Sequence, residues 1–272
     1  MTISVRGFIL IVMIAAGALS PVTADQPARA QEKTAVPPKT AFKIDGHAAF
    51  VIMPKLRDDK NPVPWVWYAP TFPGLPEARE NWMFEKFLAA GIAVAGVDVG
   101  ESYGSPKGRA AYSALYKELV TNRNFAPKAV LLARSRGGLM LYNWAVENPE
   151  SVAGVAGIYP VCDLRSYPGL DKACGAYGLT RAELEAQLDK HNPVARLAPL
   201  AKAGVPIFHI HGDVDAVVPL KDNSGEVARQ YDKLGGKMEL KIATGQGHNL
   251  WDGFFQCQEL VDFVLARSAP GR

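Results

Sequence analysis

Residues 130–140 read VLLARSRGGLM and predict a buried strand that turns sharply into a helix. Ser135 lies at the centre of that turn, with an arginine on either side and two glycines after the second arginine. Strand and helix backbones crowd each other at such a turn, so small residues are needed two positions before and two positions after its centre. Ala133 and Gly137 are small residues at these two positions. We therefore interpret Ser135 as a nucleophile held on the turn.

Strands alternate with helices along most of the chain. Two extended runs flank Asp45-Gly46, a dipeptide that strongly favours a β-hairpin turn. Further strands are predicted at 64–69, 92–100, 128–134, 152–159, 205–212 and 238–244, and helices at 75–91, 108–125, 137–148, 222–234 and 252–266. This order predicts an α/β fold with a mostly parallel sheet and helices on both faces. An irregular insertion at about 163–204 is expected to form a small lid over the site.

Two more polar residues follow predicted strands. Asp215 lies in HGDVDAVVP after the strand at 205–212, and His248 lies in GQGHNLW after the strand at 238–244. Ligands bind at the carboxyl ends of the strands in such sheets. A serine hydroxyl needs a base to take its proton, histidine suits that role, and a carboxylate fixes the histidine tautomer. We predict a catalytic triad of Ser135, Asp215 and His248, with Asp213 as a competitor for the acid.

These motifs resemble those of the α/β-hydrolases over about 45–268 of the chain. ARSRGG resembles the nucleophile elbow, HGDVDAVVP the acid loop and GQGHNLW the histidine loop. PWVWYAPTFPG (64–74) and DVGESYGSP (98–106) further resemble exported bacterial serine hydrolases of the carbohydrate-esterase and prolyl-oligopeptidase-like group. The resemblance implies the α/β-hydrolase fold, a cofactor-free hydrolase, and Asp215 rather than Asp213 as the acid, since it is four residues after His211.

The resemblance also implies an oxyanion hole made of backbone N–H groups. One donor would be Arg136, which follows the nucleophile at the positive end of the next helix. The other comes from the loop after the third strand, where Thr71 is favoured over Phe72 by position. The His-Gly pair usual in that loop is replaced here by Ala69-Pro70.

We expect the substrate to be a carboxylic ester of a carbohydrate or another small molecule. Phe72, Glu101, Tyr103 and Trp251 are predicted to line the substrate pocket. Three further aromatics, Trp65, Trp67 and Tyr68, lie near the same end, although Trp67 is within a strand.

The two arginines beside Ser135 have two interpretations. Arg136 is expected to pair with Glu101, and both Arg134 and Arg136 are interpreted either as ion-pair partners or as contacts to an acidic substrate group.

Two other functions stay open. A serine peptidase of prolyl-oligopeptidase type is one, although the sequence shows no pair of acidic residues that would bind a substrate amino group. A non-catalytic binding protein on the same fold is the other, since a fold alone does not guarantee activity.

Metal, nucleotide and nucleic-acid functions are not predicted. HIHGDVD resembles the H-x-H-x-D-H run of metal-dependent hydrolases, but position 214 is valine. His209 and His211 alternate along an apolar strand and are expected to be packed or hydrogen-bonded. A net charge of +3 without a basic run does not favour nucleic acid, and no P-loop or G-x-G-x-x-G motif is present.

The N-terminus predicts export. Arg6 precedes an apolar run of 13 residues, which is short for a membrane span of about 20 residues. We interpret 1–24 as a signal peptide cleaved near Ala24, 25–40 as a disordered linker and 41–272 as the hydrolase domain. The mature protein is expected to be periplasmic or secreted, with no stable membrane span.

Export makes disulfide bonds possible. Cys162 and Cys174 are 12 residues apart and flank a loop with proline and glycine, so we predict a bridge between them. Cys257 is then a buried thiol, and a bridge from Cys257 to one of the others stays open.

Overall fold

The computed structural model describes residues 38–56 and 60–268. The predicted signal peptide (1–24) and the predicted linker up to residue 37 lie outside these residues. The first strand begins at Thr40, one residue before the predicted start of the hydrolase domain. In the described part of the chain, no helix is both long enough and apolar enough to span a bilayer.

Eight strands form one sheet, in the order β1-β2-β4-β3-β5-β6-β7-β8. The strands are β1 (Thr40–Ile44), β2 (His47–Ile52), β3 (Trp65–Ala69), β4 (Ala93–Val97), β5 (Ala129–Arg134), β6 (Val152–Ile158), β7 (Ile207–Gly212) and β8 (Met238–Ala243). β3 to β8 pair in parallel, whereas β2 is antiparallel to both β1 and β4. The predicted mostly parallel sheet is confirmed.

The predicted hairpin joins β1 to β2. Asp45 and Gly46 have φ values of 48° and 84°, so both central residues of the turn are in the left-handed region. A two-residue turn of this kind matches the twist of the flanking strands, and aspartate and glycine are the residues that tolerate it. Ile44 is therefore opposite His47, which sets the register of the pair.

Ten α-helices surround the sheet in the described part of the chain. They are α1 (Asn81–Ala89), α2 (Pro106–Lys117), α3 (Gly137–Ala145), α4 (Leu170–Tyr177), α5 (Arg181–Glu185), α6 (Leu188–His191), α7 (Ala198–Lys202), α8 (Ser224–Lys233), α9 (Asp252–Phe255) and α10 (Gln258–Ser268). The helix predicted at 252–266 is thus two helices, which are separated at Gln256 and Cys257.

The sheet is covered by apolar side chains on both faces. Along β3, Trp65 and Trp67 belong to the cluster that α2, α3 and α8 cover, whereas Val66 and Tyr68 belong to the cluster that α1, α9 and α10 cover. This alternation follows the two-residue period of a strand. Trp65, Trp67 and Tyr68 do not border the site, because all three are at most 1% exposed and fill the core.

The predicted insertion contains α4 to α7. Its first part packs on the sheet domain through a separate apolar cluster that includes Leu164, Leu184 and Leu188. The same cluster contains Leu139 of α3 and Val218 of the loop after β7. The insertion therefore lies against the two segments that follow β5 and β7, next to the carboxyl ends of these strands.

Candidate active site

Ser135 lies on a strained turn at the end of β5. Its φ is +49°, a left-handed conformation that costs a non-glycine residue about 1–3 kcal/mol. Three backbone hydrogen bonds hold this conformation: Ser135 N donates to Ile158 O (3.0 Å), and Ser135 O accepts from Gly138 N (3.0 Å) and Val161 N (2.8 Å). The turn is thereby tied to the end of β6 and the loop after it.

Gly137 and Gly138 allow this turn to pack against its neighbours. A Cβ atom on Gly137 would lie 2.1 Å from Ala69 O, and one on Gly138 would lie 2.3 Å from Val161 O. Neither position could hold a side chain without moving the backbone. The glycine predicted two residues after Ser135 is therefore required by the approach of the loop after β3.

The three predicted triad residues form one hydrogen-bonded chain. Ser135 Oγ is 2.9 Å from His248 Nε2, and His248 Nδ1 is 2.8 Å from Asp215 Oδ2. The ring of Tyr159 packs against the imidazole of His248, with centroids 4.4 Å apart. Asp213 is exposed, and its Oδ1 accepts a hydrogen bond from Gly245 N instead. Asp215 is thus the acid in contact with His248.

Asp215 is held as a carboxylate despite its burial. Its Oδ1 accepts hydrogen bonds from Val217 N (2.9 Å) and Val218 N (2.8 Å). Burial alone would raise the pKa of Asp215, but hydrogen bonds from His211, His248 and Val218 outweigh burial and hold this pKa well below its usual range. A permanent negative charge therefore faces His248 Nδ1, which suits the imidazolium that forms when the ring takes a proton.

Of the predicted oxyanion donors, Arg136 directly follows the nucleophile, and Thr71 and Phe72 follow Pro70, which lines the cavity beside it. Among the described residues, no acceptor pairs with the backbone N–H of Arg136, Thr71 or Phe72. Arg136 directly precedes α3, so its N–H is at the positive end of that helix. The side chain of Thr71 packs against Gly96 and the carbonyl of Tyr68, on the inner side of its loop. Thr71 rather than Phe72 as the second donor stays a prediction.

A cavity of about 180 Å³ opens beside Ser135 and His248. Pro70, Leu75, Tyr159, Asn249 and Leu250 complete its lining together with the two arginines that flank Ser135. No sequence pattern singles out Tyr159, although it follows β6 as Ser135 follows β5. Its φ of +36° is a local strain that sequence patterns do not reveal.

Arg136 and three of the predicted substrate residues form a rim. The guanidinium of Arg136 pairs with Glu101, as expected, and lies over the rings of Phe72 (5.5 Å) and Tyr167 (5.9 Å). Burial and the neighbouring Glu101 raise the pKa of Tyr103, which keeps its phenol neutral. Phe72 and Glu101 contact Arg136, and Tyr103 contacts Glu101, but none of the three is among the residues that line the cavity beside Ser135.

Two predicted placements differ from the structure. Trp251 is 45% exposed, and its ring packs over Gly253 and Phe254 rather than lining the cavity. Arg134 borders the cavity, but its guanidinium is held in ion pairs with Glu80 (2.6 Å) and Glu77 (2.9 Å) and lies 4.9 Å above the ring of Phe255. Arg134 is therefore an ion-pair residue of the core.

The predicted bridge between Cys162 and Cys174 is absent, and all three cysteines are free thiols. Cys162 is fully buried in the core cluster of α2, α3 and α8, whereas Cys174 packs at the edge of the cluster under α4. The two sulfurs point to different carbonyls, Pro160 O and Asp171 O. The loop between them does not bring the side chains together.

The histidines of the HIHGDVD stretch lie inside the fold. His209 and His211 are both fully buried, and each ring nitrogen of both residues is within hydrogen-bond distance of a partner. No three His, Cys, Asp or Glu side chains among residues 38–56 and 60–268 are grouped so that they could hold a metal ion.

Comparison with known proteins identifies related families and folds. The sequence model of the Prolyl oligopeptidase family (Peptidase_S9) matches residues 111–266, which is more than half of the chain. No curated protein matches the sequence significantly. The predicted α/β-hydrolase resemblance is confirmed by this match and by the folds of solved structures.

Three of these structures illustrate the likeness. The match to a puromycin-hydrolysing peptidase of Mycobacterium tuberculosis has 16% identity and a TM-score of 0.64. It covers 86% of this chain and 41% of the peptidase. An acylaminoacyl peptidase of Pyrococcus horikoshii has 16% identity and a TM-score of 0.67, covering 87% and 42%. Est1E of Butyrivibrio proteoclasticus has 17% identity and a TM-score of 0.61, covering 84% and 98%. The chain thus spans about two fifths of the two peptidases.

Proposed function

The chain belongs to the prolyl oligopeptidase family of serine hydrolases, and we propose that it cleaves a small carboxylic ester, in the first place an acylated carbohydrate. The proposal rests on one observation above the others: Ser135, His248 and Asp215 form a continuous hydrogen-bonded chain beside a small cavity. A non-catalytic binding protein would not need this alignment, and membership of the family makes the chain a hydrolase.

The first half of the reaction forms an acyl-enzyme on Ser135. Ser135 Oγ attacks the ester carbon while its proton passes to His248 Nε2, which is 2.9 Å away. Asp215 stabilises the imidazolium through His248 Nδ1. The oxyanion accepts hydrogen bonds from the N–H of Arg136 and from that of Thr71, as the family resemblance implies. The C–O bond then breaks, and His248 returns the proton to the leaving alcohol.

The second half releases the acid. A water molecule attacks the acyl carbon and gives one proton to His248 Nε2, with the same oxyanion contacts. Collapse of the tetrahedral intermediate breaks the bond to Ser135 Oγ, which takes its proton back from His248. One ester and one water thus become one alcohol and one acid, and the enzyme returns to its starting state.

An ester is favoured over a peptide by the charges around the cavity. None of the described residues that line the cavity is a carboxylate, so the lining offers no ion-pair partner for the ammonium group of a peptide. The described acids that contact the arginines lining the cavity are all paired, Glu77 and Glu80 with Arg134 and Glu101 with Arg136. The cavity volume of about 180 Å³ suits a short acyl group.

An acylated carbohydrate is supported by the character of the rim. The rings of Phe72 and Tyr167 lie next to the guanidinium of Arg136, and the Arg136–Glu101 pair contributes polar groups of both signs. Sugars bind to such combinations, because their rings stack on aromatics while their hydroxyl groups hydrogen-bond to charged side chains.

A serine peptidase is the second candidate. The family is named for a peptidase, and the structures from Mycobacterium tuberculosis and Pyrococcus horikoshii are both named as peptidases. If this reading holds, amide substrates such as puromycin or an N-acylated amino-acid anilide would be cleaved at rates comparable to those of esters.

Matched substrates separate the two candidates. We would compare an acyl p-nitrophenyl ester with the p-nitroanilide of the same acyl group, and acetylated sugars with short peptides, on wild type and Ser135→Ala. An ester hydrolase would cleave the ester and the acetylated sugar, with kcat/KM for the anilide lower by at least about 10³. Comparable rates on ester and anilide, or cleavage of peptides alone, would overturn the ester proposal in favour of the peptidase.

We also propose that the enzyme is exported and works in the periplasm or outside the cell. The support is the sequence of residues 1–24, with Arg6 before a short apolar run and small residues at Val22 and Ala24. Expression of the full chain with its natural N-terminus, followed by intact-mass analysis of each cell fraction, tests this. Full-length protein confined to the cytoplasm would contradict it.

A further inference from the structure

A buried polar chain leads from the core to Asp215. Tyr142 Oη is 2.8 Å from His209 Nε2, and His209 Nδ1 is 2.9 Å from Ser224 Oγ. Ser224 Oγ is in turn 2.8 Å from His211 Nδ1. All four side chains are fully buried, and the reaction described above uses none of them.

One contact determines where the hydrogens lie in this chain. His211 Nε2 is 2.8 Å from the backbone carbonyl oxygen of Val218. A carbonyl can only accept a hydrogen bond, so His211 Nε2 must carry a hydrogen. In a neutral ring, His211 Nδ1 is then an acceptor, and the hydroxyl of Ser224 must donate to it.

The rest of the chain follows from the same reasoning. Since Ser224 donates its only hydrogen to His211, its oxygen accepts from His209 Nδ1–H. His209 Nε2 is then the acceptor for the hydroxyl of Tyr142. Burial, with His211 nearby, lowers the pKa of His209 to about 3, so that ring is neutral as this arrangement requires. In the neutral tautomer of His211 with its hydrogen on Nε2, every polar hydrogen in the chain points towards Asp215.

The end of this chain lies against the acid of the triad. His211 Nε2 is 3.5 Å from Asp215 Oδ2, the same oxygen that accepts from His248 Nδ1 at 2.8 Å. The other oxygen, Oδ1, is held by the N–H groups of Val217 and Val218. The Nε2–H of His211 therefore lies between the carbonyl of Val218 and the carboxylate of Asp215, and ties both sides of the acid loop together.

We propose that His211, held in its Nε2–H tautomer by Ser224, is a positioning residue that orients the carboxylate of Asp215 and thereby the imidazole of His248. The inference rests on the proposed function, because it concerns the same triad. The polar groups that face His211 are Ser224, Asp215 and the carbonyl of Val218, with His209 next to it on β7. His211 acts through Asp215 and does not contact the reacting atoms.

Two conservative variants distinguish the contribution of His211 Nε2 from that of His211 Nδ1. The amide nitrogen of glutamine can take the place of Nε2, whereas the shorter asparagine reaches only the place of Nδ1. We expect His211→Gln to retain kcat within about threefold and His211→Asn to lose about 10- to 100-fold in kcat, since a hydrogen bond to a charged group is lost. KM should change little in either variant.

The pH profile distinguishes positioning from mere stabilisation. Without the hydrogen bond from His211, the carboxylate of Asp215 has one donor fewer, so it stabilises protonated His248 more strongly. In His211→Asn the acid limb of the kcat/KM profile should move up by about half a pH unit. Ser224→Ala should move the limb the same way, and Ser224→Thr should restore it. Equal losses in the Gln and Asn variants, with the acid limb unmoved, would overturn the proposal.

The tautomer can be measured without turnover. Nitrogen-15 NMR of the histidine-labelled full chain should find His211 with hydrogen on Nε2 and His209 with hydrogen on Nδ1 at neutral pH. Hydrogen on Nδ1 of His211, or on both of its nitrogens, would overturn the proposal. If no substrate is cleaved, the rate of labelling by a fluorophosphonate replaces kcat in the comparison of variants. An inert wild type that labels rapidly contradicts the proposed substrate class and leaves this inference standing, whereas no labelling overturns both.

Discussion

The Cα atom of Gly137 lies so close to the carbonyl of Ala69 that a Cβ atom would come within 2.1 Å of its oxygen. This approach brings the end of β3 and Pro70, which precedes the predicted donor Thr71, against the nucleophile turn. The catalytic geometry thus depends on a contact between two backbones in which neither residue contributes a functional group.

Gly137→Ala is expected to lower both stability and activity. The added methyl group must displace the Ala69 backbone, and overpacking of this kind costs about 1–3 kcal/mol or more. Urea unfolding should report the loss of stability, and kcat should fall because the turn moves relative to Thr71. Gly175→Ala is the matched control, because nothing lies within 4 Å of the added atom in α4. A Gly137→Ala enzyme as stable and active as this control would contradict the structure.

The two aspartates of the acid loop should differ strongly in how much activity is lost when each is replaced by asparagine. Asp215→Asn leaves the shape of the site but favours the wrong tautomer of His248, and kcat is expected to fall by roughly 10⁴. Asp213→Asn should keep kcat within a factor of about two to three, since Asp213 is exposed and contacts only the amide of Gly245 among the described residues. Steady-state kinetics on a p-nitrophenyl ester measures both. If Asp213→Asn lost more activity than Asp215→Asn, Asp213 rather than Asp215 would be the acid of the triad.

The two arginines beside Ser135 should differ in their contribution to stability. Arg134 is about 10% exposed and pairs with Glu80, which is fully buried, so that Arg134→Met leaves a buried carboxylate unpaired at a cost of about 3–5 kcal/mol. The side chains of Arg136 and Glu101 are 34% and 44% exposed, and Arg136→Met should cost less than about 1 kcal/mol. Chemical denaturation compares them directly.

The double variant Arg134→Met, Glu80→Met tests the reason for that difference. Removal of both charges leaves no unpaired carboxylate, so the double variant should unfold at a higher urea concentration than Arg134→Met alone. If the double variant is the less stable, the hydrogen bonds that Glu80 accepts from Tyr68 and from the backbone N–H of Glu77 outweigh the cost of its unpaired charge.

Because His209 is buried and neutral, the free energy of unfolding should depend on pH in a range above that in which carboxylates titrate. The folded protein keeps His209 neutral down to a pKa of about 3, whereas the unfolded chain binds a proton near pH 6.5. The stability is therefore present above about pH 6.5 and is lost as pH falls towards 3. Between pH 7.5 and pH 5 the free energy of unfolding should drop by about 2 kcal/mol through this residue.

Urea unfolding at several pH values measures this slope. In His209→Gln the slope should be flatter over the same range, whatever the variant's overall stability. Asp215 contributes only at lower pH, because its depressed pKa provides stability that is lost below its unfolded value of about 3.8. A wild type whose stability is constant from pH 7.5 to pH 5 would contradict a buried neutral His209.

The sequence by itself determined the order of elements and which three residues make up the predicted triad. These depend on local patterns: an apolar run before Ser135 and small residues around it, a strand before Asp215, and glycines around His248. Chain order along a parallel sheet then places all three at one edge. The hairpin at Asp45-Gly46 is local in the same way, because its conformation belongs to two residues.

Only the tertiary structure decided which side chains meet. Arg134 and Glu80 are 54 positions apart, the thiols of Cys162 and Cys174 belong to different apolar clusters, and Trp251 folds back on its own helix. The hydrogen-bonded chain behind Asp215 likewise joins α3, β7 and α8. Sequence patterns report the face and period of one element. The direction of a side chain, and the group it pairs with, follow from how several elements pack to fill space and satisfy buried polar atoms.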